Sequence, residues 1–311
     1  MTVLVTGAGG FIGSGIVEAL LKAGKSVVAT DRELNTLTPH QALTLKQGNL
    51  ADSSFRASLF DQTIDAVVHL ATIPGGGAES APELSFKVNV EATVDLIQLA
   101  GASTENCRFV YASAIAVYGD AIPPEGVNDD TPLQPKLHYA MHKMMSEVAL
   151  GTFTRRGTID GVGIRLPGVV ARPQGAVGFK SAFMNDIFHV MLAGKTMTMP
   201  VSKAAQVWLM SRTQTVNNFV HALSLDSQTM PEDRVVTLPA IHVVMGDLIN
   251  ALSKATSTSE ENILYNSDPQ LEAAFGAYSP LTTSNAEKAG FEHDGSVEQL
   301  ISNTLADIQS R

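Results

Sequence analysis

Two side chains near the middle of the sequence have the types and the spacing for acid–base chemistry. Tyr139 and Lys143 are four residues apart in a stretch, about His138 to Arg155, whose pattern predicts a helix, so they share one helix face. A free tyrosine has a pKa of about 10 and needs a downward shift of about three units to act as a base near pH 7. A nearby ammonium group favours the phenolate. The pair predicts a tyrosine base that takes a proton from a substrate hydroxyl, with Lys143 as its electrostatic partner.

The start of the chain predicts a binding site for a dinucleotide. Three glycines, spaced three apart, follow a strand predicted over Val3–Val5 and open a predicted helix. The unpaired N–H groups and the dipole of that helix favour a pyrophosphate at its first turn. The residues expected to bind the cofactor here are Gly7, Gly10, Phe11, Ile12 and Gly13.

Asp31 predicts which dinucleotide binds. It ends the second predicted strand, 18 residues after Gly13, where a carboxylate can accept hydrogen bonds from both ribose hydroxyls of NAD. A 2′-phosphate there would meet a like charge at a cost of about 1–4 kcal/mol, although Arg32 could pair with such a phosphate. Asp31 therefore favours NAD, and Tyr139 would take the proton while hydride leaves the same substrate carbon.

The elements that must position these residues alternate between strand and helix through the first half of the chain. This alternation predicts an α/β fold, a Rossmann-type doubly wound parallel sheet. We expect a long helix over about Pro82 to Ala100 and a flexible loop at Gly75–Gly77. The predicted domains are a Rossmann domain over 1–167 with a returning segment near 205–240, and a smaller, discontinuous C-terminal substrate-binding lobe over 168–204 and 241–311.

Composition narrows the class of protein. Of the 311 residues, 44% are hydrophobic, and the net charge is −10, which argues against a nucleic-acid or anionic-membrane surface but allows a local basic pocket for a small anionic substrate. Cys107 is the only cysteine, so no disulfide is expected. No secretory leader precedes Val3 and no run of 18 apolar residues occurs, so we expect a cytoplasmic protein with no membrane partner.

Several motifs carry a resemblance to a known family. Thr6–Gly13, Tyr111–Gly119 and the Tyr139-x-x-x-Lys143 pair resemble the extended short-chain dehydrogenases/reductases, the NAD-dependent epimerase/dehydratase family. The chain is most similar to the D-erythronate dehydrogenase branch over about the first 225 residues. The segments that mark this branch are Tyr139–Glu147, Arg155–Gly161, Arg165–Pro173 and Trp208–Arg212.

The resemblance implies an activity and further site residues. It implies NAD-dependent oxidation of a hydroxyl next to a carboxylate on a small sugar acid, and a homodimer formed through helices near 82–100 and 138–155. It also implies cofactor contacts, with Asn49 standing where the family usually has Asp at an adenine contact. The residues concerned are Asn49, Leu50, Leu70, Ala71, Asn89 and Pro167.

The chain departs from the family at its third catalytic residue. The family has Ser or Thr four residues before the tyrosine of Val-Tyr-Gly, and this chain has Ala114 there, with Ser113 one residue early. Adjacent side chains on a strand point to opposite faces. Either a twisted strand end brings Ser113 to the catalytic and substrate-binding position, or another hydroxyl or a water replaces it, or turnover is impaired.

Two arginines are candidates to bind a substrate carboxylate. A cation at the first turn of a helix opposes the helix dipole, so Arg212 is expected to have an anionic partner, either the substrate or an Asp or Glu of the protein. Arg172 has the same two interpretations. His138 and His142 have the spacing of a metal pair, but no third ligand is evident, so no metal is expected.

Two other functions remain open on the sequence alone. A nucleotide-sugar epimerase on the same fold would keep its cofactor bound, with no net release of NADH. Dehydration is disfavoured, since Ile115 and Ala116 replace the Asp-Glu pair of similar dehydratases. The replacement at Ala114 also allows an NAD-binding protein that is catalytically impaired.

Overall fold

The protein is built from twelve strands and twelve helices in the part of the chain that its computed structural model describes, residues 1–119, 122–174 and 181–311. The strands are β1 (Thr2–Thr6), β2 (Ser26–Asp31), β3 (Leu43–Gln47), β4 (Ala66–His69), β5 (Arg108–Ala114), β6 (Asp160–Leu166), β7 (Gly168–Val170), β8 (Met197–Met199), β9 (Gln206–Ser211), β10 (Val235–Thr237), β11 (Ile241–Val244) and β12 (Ile263–Tyr265). The helices are α1 (Phe11–Lys22), α2 (Ser53–Ser58), α3 (Gly75–Ser80), α4 (Pro82–Phe86), α5 (Ala92–Ser103), α6 (His138–Arg155), α7 (Phe183–Leu192), α8 (Arg212–Ala222), α9 (Met245–Thr256), α10 (Pro269–Phe275), α11 (Ser284–Lys288) and α12 (Val297–Ser310).

Seven of these strands form one parallel sheet in the order β10-β6-β5-β4-β1-β2-β3. The predicted doubly wound parallel sheet is confirmed. Strand order reverses between β1 and β4, and such a switch point leaves a crevice at the carboxyl edge of the sheet where ligands bind. The glycine turn after β1 and the loop after β4 therefore meet at the same place.

Alternating side chains bury both faces of this sheet. Val3 and Val5 pack with residues of α1 and α8, such as Ile16 and Phe219. Leu4 lies in a separate core on the opposite face with residues of α5 and α6. This alternation follows from the period of two along a strand, and it sends successive residues at a strand end toward different helices.

The C-terminal part has its own core. β9 pairs with β7 and β11 in a three-stranded sheet, β8 pairs with β12, and α7, α9 and α12 pack over them through residues such as Phe188, Leu248 and Leu300. Of the segment near 205–240, β10 pairs with β6 in the large sheet and α8 packs on α1, whereas β9 joins the smaller sheet.

One local expectation is wrong, and a second is confirmed with one interruption in the helix. The loop predicted at Gly75–Gly77 is the first turn of α3, where the fully buried Ala78 offsets the poor helix propensity of glycine. The helix predicted over Pro82 to Ala100 is divided into α4, a π-helical turn at Lys87–Glu91, and α5. Such turns frequently occur at functional sites.

Candidate active site

The glycine turn after β1 has a backbone that only glycine allows. Gly7 has φ +69°, and a Cβ there would lie 2.8 Å from the Ala71 nitrogen, whereas a Cβ on Gly13 would lie 2.1 Å from the Gly7 oxygen. The exposed Gly10 lines a groove of about 880 Å³ along α1. No side chain in the described part of the chain caps the start of α1, so the N–H groups of Phe11 and Ile12 fit a pyrophosphate.

The residues after β2 and β3 lie beside this turn. The carboxylate of Asp31 accepts hydrogen bonds from the Gly9 N–H at 3.1 Å and the Arg32 N–H at 2.7 Å. The Asn49 amide oxygen accepts the Ala51 N–H at 3.0 Å, and Leu50 is buried. These contacts hold Asp31 at the strand end where a ribose would bind; its contact with NAD stays a prediction.

The π-helical turn places Asn89 against the loop that follows β4. The Asn89 side chain accepts the Ile73 N–H at 2.7 Å and donates to the Ile73 oxygen at 3.0 Å. Its main-chain oxygen accepts hydrogen bonds from the Thr93 hydroxyl at 2.8 Å and from the Ser146 hydroxyl at 3.0 Å. Asn89 therefore fixes the loop that begins with Leu70 and Ala71, two residues predicted to line the cofactor.

Helix α6 brings Tyr139 and Lys143 together at the carboxyl end of β5. The buried Lys143 ammonium donates to the Ala112 oxygen at 2.6 Å and lies 4.8 Å from the centroid of the Tyr111 ring. It lies 5.7 Å from the centroid of the half-buried Tyr139 ring. The structure thus places the two side chains as neighbours, although it does not test their catalytic roles.

Burial shifts the pKa values of this pair away from what base catalysis needs. It raises the pKa of Tyr139 to about 12, and the charge of Arg172 only partly opposes this. It lowers the pKa of Lys143 to about 7, with the charge of Glu147 opposing. The protein alone therefore favours a neutral phenol at pH 7, and a phenolate needs further positive charge near the ring, such as an oxidised nicotinamide.

Ser113 is directed away from the position expected of a catalytic hydroxyl. It is buried at the end of β5 and its hydroxyl donates to the Glu147 carboxylate on α6. That carboxylate also accepts from Arg165 at 3.0 and 2.8 Å. The Ser113 proton is therefore engaged inside the protein, and a contact of Ser113 with the substrate stays a prediction.

The two candidate arginines lie in different surroundings. Arg172, five residues after Pro167, is half-buried, and its charge acts on the Tyr139 phenol. Arg212 donates to Asp307 at 2.6 Å, to the Ser14 hydroxyl at 2.9 Å and to the Phe11 oxygen. For Arg212 the structure shows the second interpretation, an ion pair with the protein's own acid, and a contact with the substrate stays a prediction.

Sequence reasoning missed the acid that binds Ser113. Ser113, Glu147 and Arg165, which we call the ion-pair cluster, are all at most 8% exposed. Glu147 lies four residues after Lys143 on α6, and this spacing was the signal that could have placed a carboxylate beside the lysine. The partner of Glu147 could not be found in this way, because Arg165 lies on β6.

A second buried group, Thr6, His69 and Thr93, was also missed, and we call it the histidine chain. Thr6 Oγ1 accepts the Ala71 N–H at 3.2 Å and lies 2.6 Å from His69 Nδ1. His69 Nε2 then donates to Thr93 Oγ1 at 2.9 Å, and the Thr93 hydroxyl donates to the Asn89 oxygen. Burial lowers the pKa of His69 to about 3, so the ring is neutral and its Nδ1 accepts the proton of the Thr6 hydroxyl.

Two further properties of the described residues concern metal binding and membrane insertion. His142 Nδ1 lies 3.0 Å from the Ser85 hydroxyl, and no cluster of three or more His, Cys, Asp or Glu in the described ranges could hold a metal ion. No helix in those ranges is long and apolar enough to cross a bilayer.

Comparisons with solved structures identify the fold. A nucleoside-diphosphate-sugar epimerase from Agrobacterium tumefaciens superposes with a TM-score of 0.90 at 23% identity, covering 100% of this chain and 95% of its own. A GalE-like L-threonine dehydrogenase from Cupriavidus necator superposes with a TM-score of 0.87 at 19% identity, covering 99% of this chain and 100% of its own.

Comparisons of sequence identify the family. The sequence model of the NAD dependent epimerase/dehydratase family matches residues 3–225. A D-erythronate dehydrogenase from Cupriavidus necator is 30% identical, with 97% of both chains covered, and one from Haemophilus influenzae is 28% identical, with 97% of this chain and 98% of its own covered. This chain therefore belongs to the NAD-dependent epimerase/dehydratase family, as its motifs predicted, and is an enzyme of the extended short-chain dehydrogenase/reductase type that uses NAD.

Proposed function

We propose that the protein is an NAD-dependent dehydrogenase that oxidises a secondary hydroxyl of a small hydroxy acid or sugar acid similar to D-erythronate. Near-complete coverage of two D-erythronate dehydrogenases supports the activity. The observation that carries the substrate class is the position of Arg172, whose positive charge acts on the Tyr139 phenol. A base and a guanidinium close enough to interact electrostatically suit a hydroxyl next to a carboxylate.

In this reaction Tyr139 removes the hydroxyl proton. The glycine turn and Asp31 would hold NAD, which would supply the acceptor for the hydride from the carbon that carries the hydroxyl, so that the alcohol would become a ketone with formation of NADH. Lys143 lies close to the Tyr139 ring, and its ammonium stabilises the phenolate while also holding the nicotinamide ribose. The buried position of Lys143 keeps water from competing for its charge.

Arg172 is the proposed anchor for the substrate carboxylate. A guanidinium can donate two parallel hydrogen bonds to a carboxylate, which sets orientation as well as affinity. The Arg172 main chain is itself held, because its N–H donates to Asn185 at 2.8 Å and its oxygen lies 2.7 Å from His189 Nε2, both on α7. Arg172 falls in segment 168–204, which with 241–311 we assign to the substrate-binding lobe.

A screen of four- to six-carbon aldonic and uronic acids with NAD, followed by absorbance of NADH, tests the proposal. At least one acid should be oxidised, and Tyr139→Phe should lower kcat by at least 100-fold. The matched control is Tyr265→Phe, in a strand of the C-terminal part. Silence across the acids together with interconversion of a nucleotide sugar, without net NADH, would identify an epimerase instead.

We also propose that the protein is a homodimer through α6. Four apolar side chains on one face of this helix are exposed by 38–60%: Leu137, Met141, Met145 and Val148. Leu84 and Phe86 of α4 are exposed too, and an exposed apolar patch of this kind marks an interaction site. Light scattering should give a dimer that Val148→Asp converts to a monomer, whereas Leu264→Asp, equally exposed on β12, should leave the mass unchanged.

A cytoplasmic location completes the proposal. Its support is the lone, buried cysteine, Cys107, and the use of NAD. A tagged chain expressed in cells should fractionate with cytoplasmic markers, and recovery in another compartment would contradict this.

A further inference from the structure

The end of β5 lacks the hydroxyl that the proposed reaction needs beside Tyr139. Ala114 has no polar side-chain atom, and the Ser113 proton is donated to Glu147. A hydrogen-bond donor aimed at the reacting oxygen is worth about 10²–10³ in rate. The neighbouring strand ends are therefore the place to search for a replacement.

Thr72 lies three residues beyond the end of β4, and Ala114 is the last residue of β5. The parallel register pairs Val68 with Val110 and His69 with Tyr111. Continued three residues further along both chains, the same register sets Thr72 beside Ala114. Both positions lie at the carboxyl edge of the sheet, where the glycine turn and the loop after β4 meet.

The alternation of side chains puts the two positions on the same side of the sheet. Leu70 packs in the core beside α1, and Ala71 packs in the core beside α5 and α6. On the neighbouring strand Ala112 belongs to the core beside α1, and Ser113 reaches α6. If the same alternation continues one step further, Thr72 and Ala114 both return to the α1 side.

The Thr72 hydroxyl has unused capacity to form hydrogen bonds. Its oxygen is buried and has no hydrogen-bond partner among residues 1–119, 122–174 and 181–311. A buried hydroxyl without a partner is unfavourable, and most such groups in folded proteins are paired. The main chain beside it is fixed, since Asn89 holds both polar groups of Ile73.

We propose that Thr72 supplies the hydroxyl that hydrogen-bonds the reacting oxygen of the substrate, in the place that Ala114 leaves without one. The Thr72 O–H donates to that oxygen and stabilises the charge that grows on it as Tyr139 removes the proton; no bond to Thr72 forms or breaks. This inference rests on the proposed function for its substrate.

Isosteric substitutions test the inference. Thr72→Val should lower kcat 100-fold or more with the dissociation constant of NAD unchanged, and Thr72→Ser should stay within fivefold of the wild type. In Thr72→Val/Ala114→Ser, the new hydroxyl should recover at least tenfold in kcat. The matched control is Thr104→Val, because Thr104 also has a buried, unpartnered hydroxyl in the described structure but lies at the amino end of β5.

Thermal unfolding without ligand supplies a second readout. If the Thr72 hydroxyl is unpaired in the free protein, Thr72→Val and Thr104→Val should each raise the unfolding midpoint by about 2 °C. A lower midpoint for Thr72→Val would show a protein partner and overturn the inference. So would a Thr72→Val kcat within threefold of the wild type, or a double variant without recovery.

The two proposals fail in different ways. A wild-type protein that oxidises none of the acids defeats the proposed function. The Thr72 variants are then assayed on the nucleotide-sugar reaction, and the unfolding measurement needs no substrate at all. The role of Thr72 can therefore be tested whichever reaction the wild type catalyses.

Discussion

The ion-pair cluster and the histidine chain both lie beneath the candidate site, on the α5 and α6 side of the sheet. They differ in the interactions that make their burial tolerable. In the ion-pair cluster, the guanidinium of Arg165 donates to both oxygens of the Glu147 carboxylate. In the histidine chain, burial keeps His69 neutral, and each ring nitrogen faces a threonine hydroxyl. Buried charge needs a matched partner, whereas a buried neutral ring needs only an ordered set of donors and acceptors.

This difference assigns separate tasks to the two groups. Glu147 lies beside Lys143, and its charge opposes the effect of burial on the lysine pKa. The histidine chain links the end of β1 to the oxygen of Asn89 without placing a charge near the cofactor turn. Substitutions and changes of pH should therefore affect the two groups differently.

The largest effect is expected from removing one partner of the ion pair. Arg165→Met leaves the Glu147 carboxylate buried and unpaired, so the free energy of unfolding at pH 7 should fall by about 3–5 kcal/mol. Urea denaturation measures this. Lys22→Met, which breaks the exposed pair with Glu18, should change stability by at most about 0.5 kcal/mol. An equally small change for Arg165→Met would contradict the comparison.

Acid should act on the histidine chain. The unfolded state binds a proton at His69 below pH 6.5, whereas the folded state resists protonation until about pH 3. The contribution of His69 to stability is thus complete above pH 6.5 and is lost as the pH falls toward 3. Between pH 7.5 and pH 5 it amounts to about 2 kcal/mol. The loss should be absent in His69→Gln and retained in His40→Gln, where the histidine is exposed.

The smallest expected effect is a change of stability with pH that arises from Lys143. Its pKa is about 7 in the folded protein against an ordinary value of 10.5, so the unfolded state binds more protons between these limits. Stability should therefore rise with pH, by about 1 kcal/mol from pH 7 to pH 8. Denaturation curves of the wild type and Lys143→Met should diverge by this amount over that interval, and curves that stay parallel would refute the shifted pKa.

Local patterns were enough to predict the cofactor side of the molecule. The spacing of Gly7, Gly10 and Gly13 fits one short turn, whose geometry depends on neighbours along the chain. The four-residue spacing of Tyr139 and Lys143 likewise needs only a helix to bring the side chains together. The strands of the large sheet were predicted from the alternation of strand and helix signals along the chain. No sequence pattern predicted the π-helical turn that places Asn89.

The surroundings of the substrate side were decided by tertiary structure. Arg212 donates to Asp307, 95 residues away in the sequence, and Ser113 donates to Glu147, 34 residues away. The pairing of β4 with β5, from which we infer the neighbour of Thr72, is likewise a tertiary contact.

The sequence by itself was enough to predict the parallel sheet, the glycine turn after β1 and the pairing of Tyr139 with Lys143. These features depend on backbone conformation and periodicity over a few residues. Only the tertiary structure decided which arginine lies near Tyr139 and how far burial moves the pKa values of the pair. The physical reason is that desolvation and ion pairing depend on which distant segments exclude water from a group, and no local spacing encodes this.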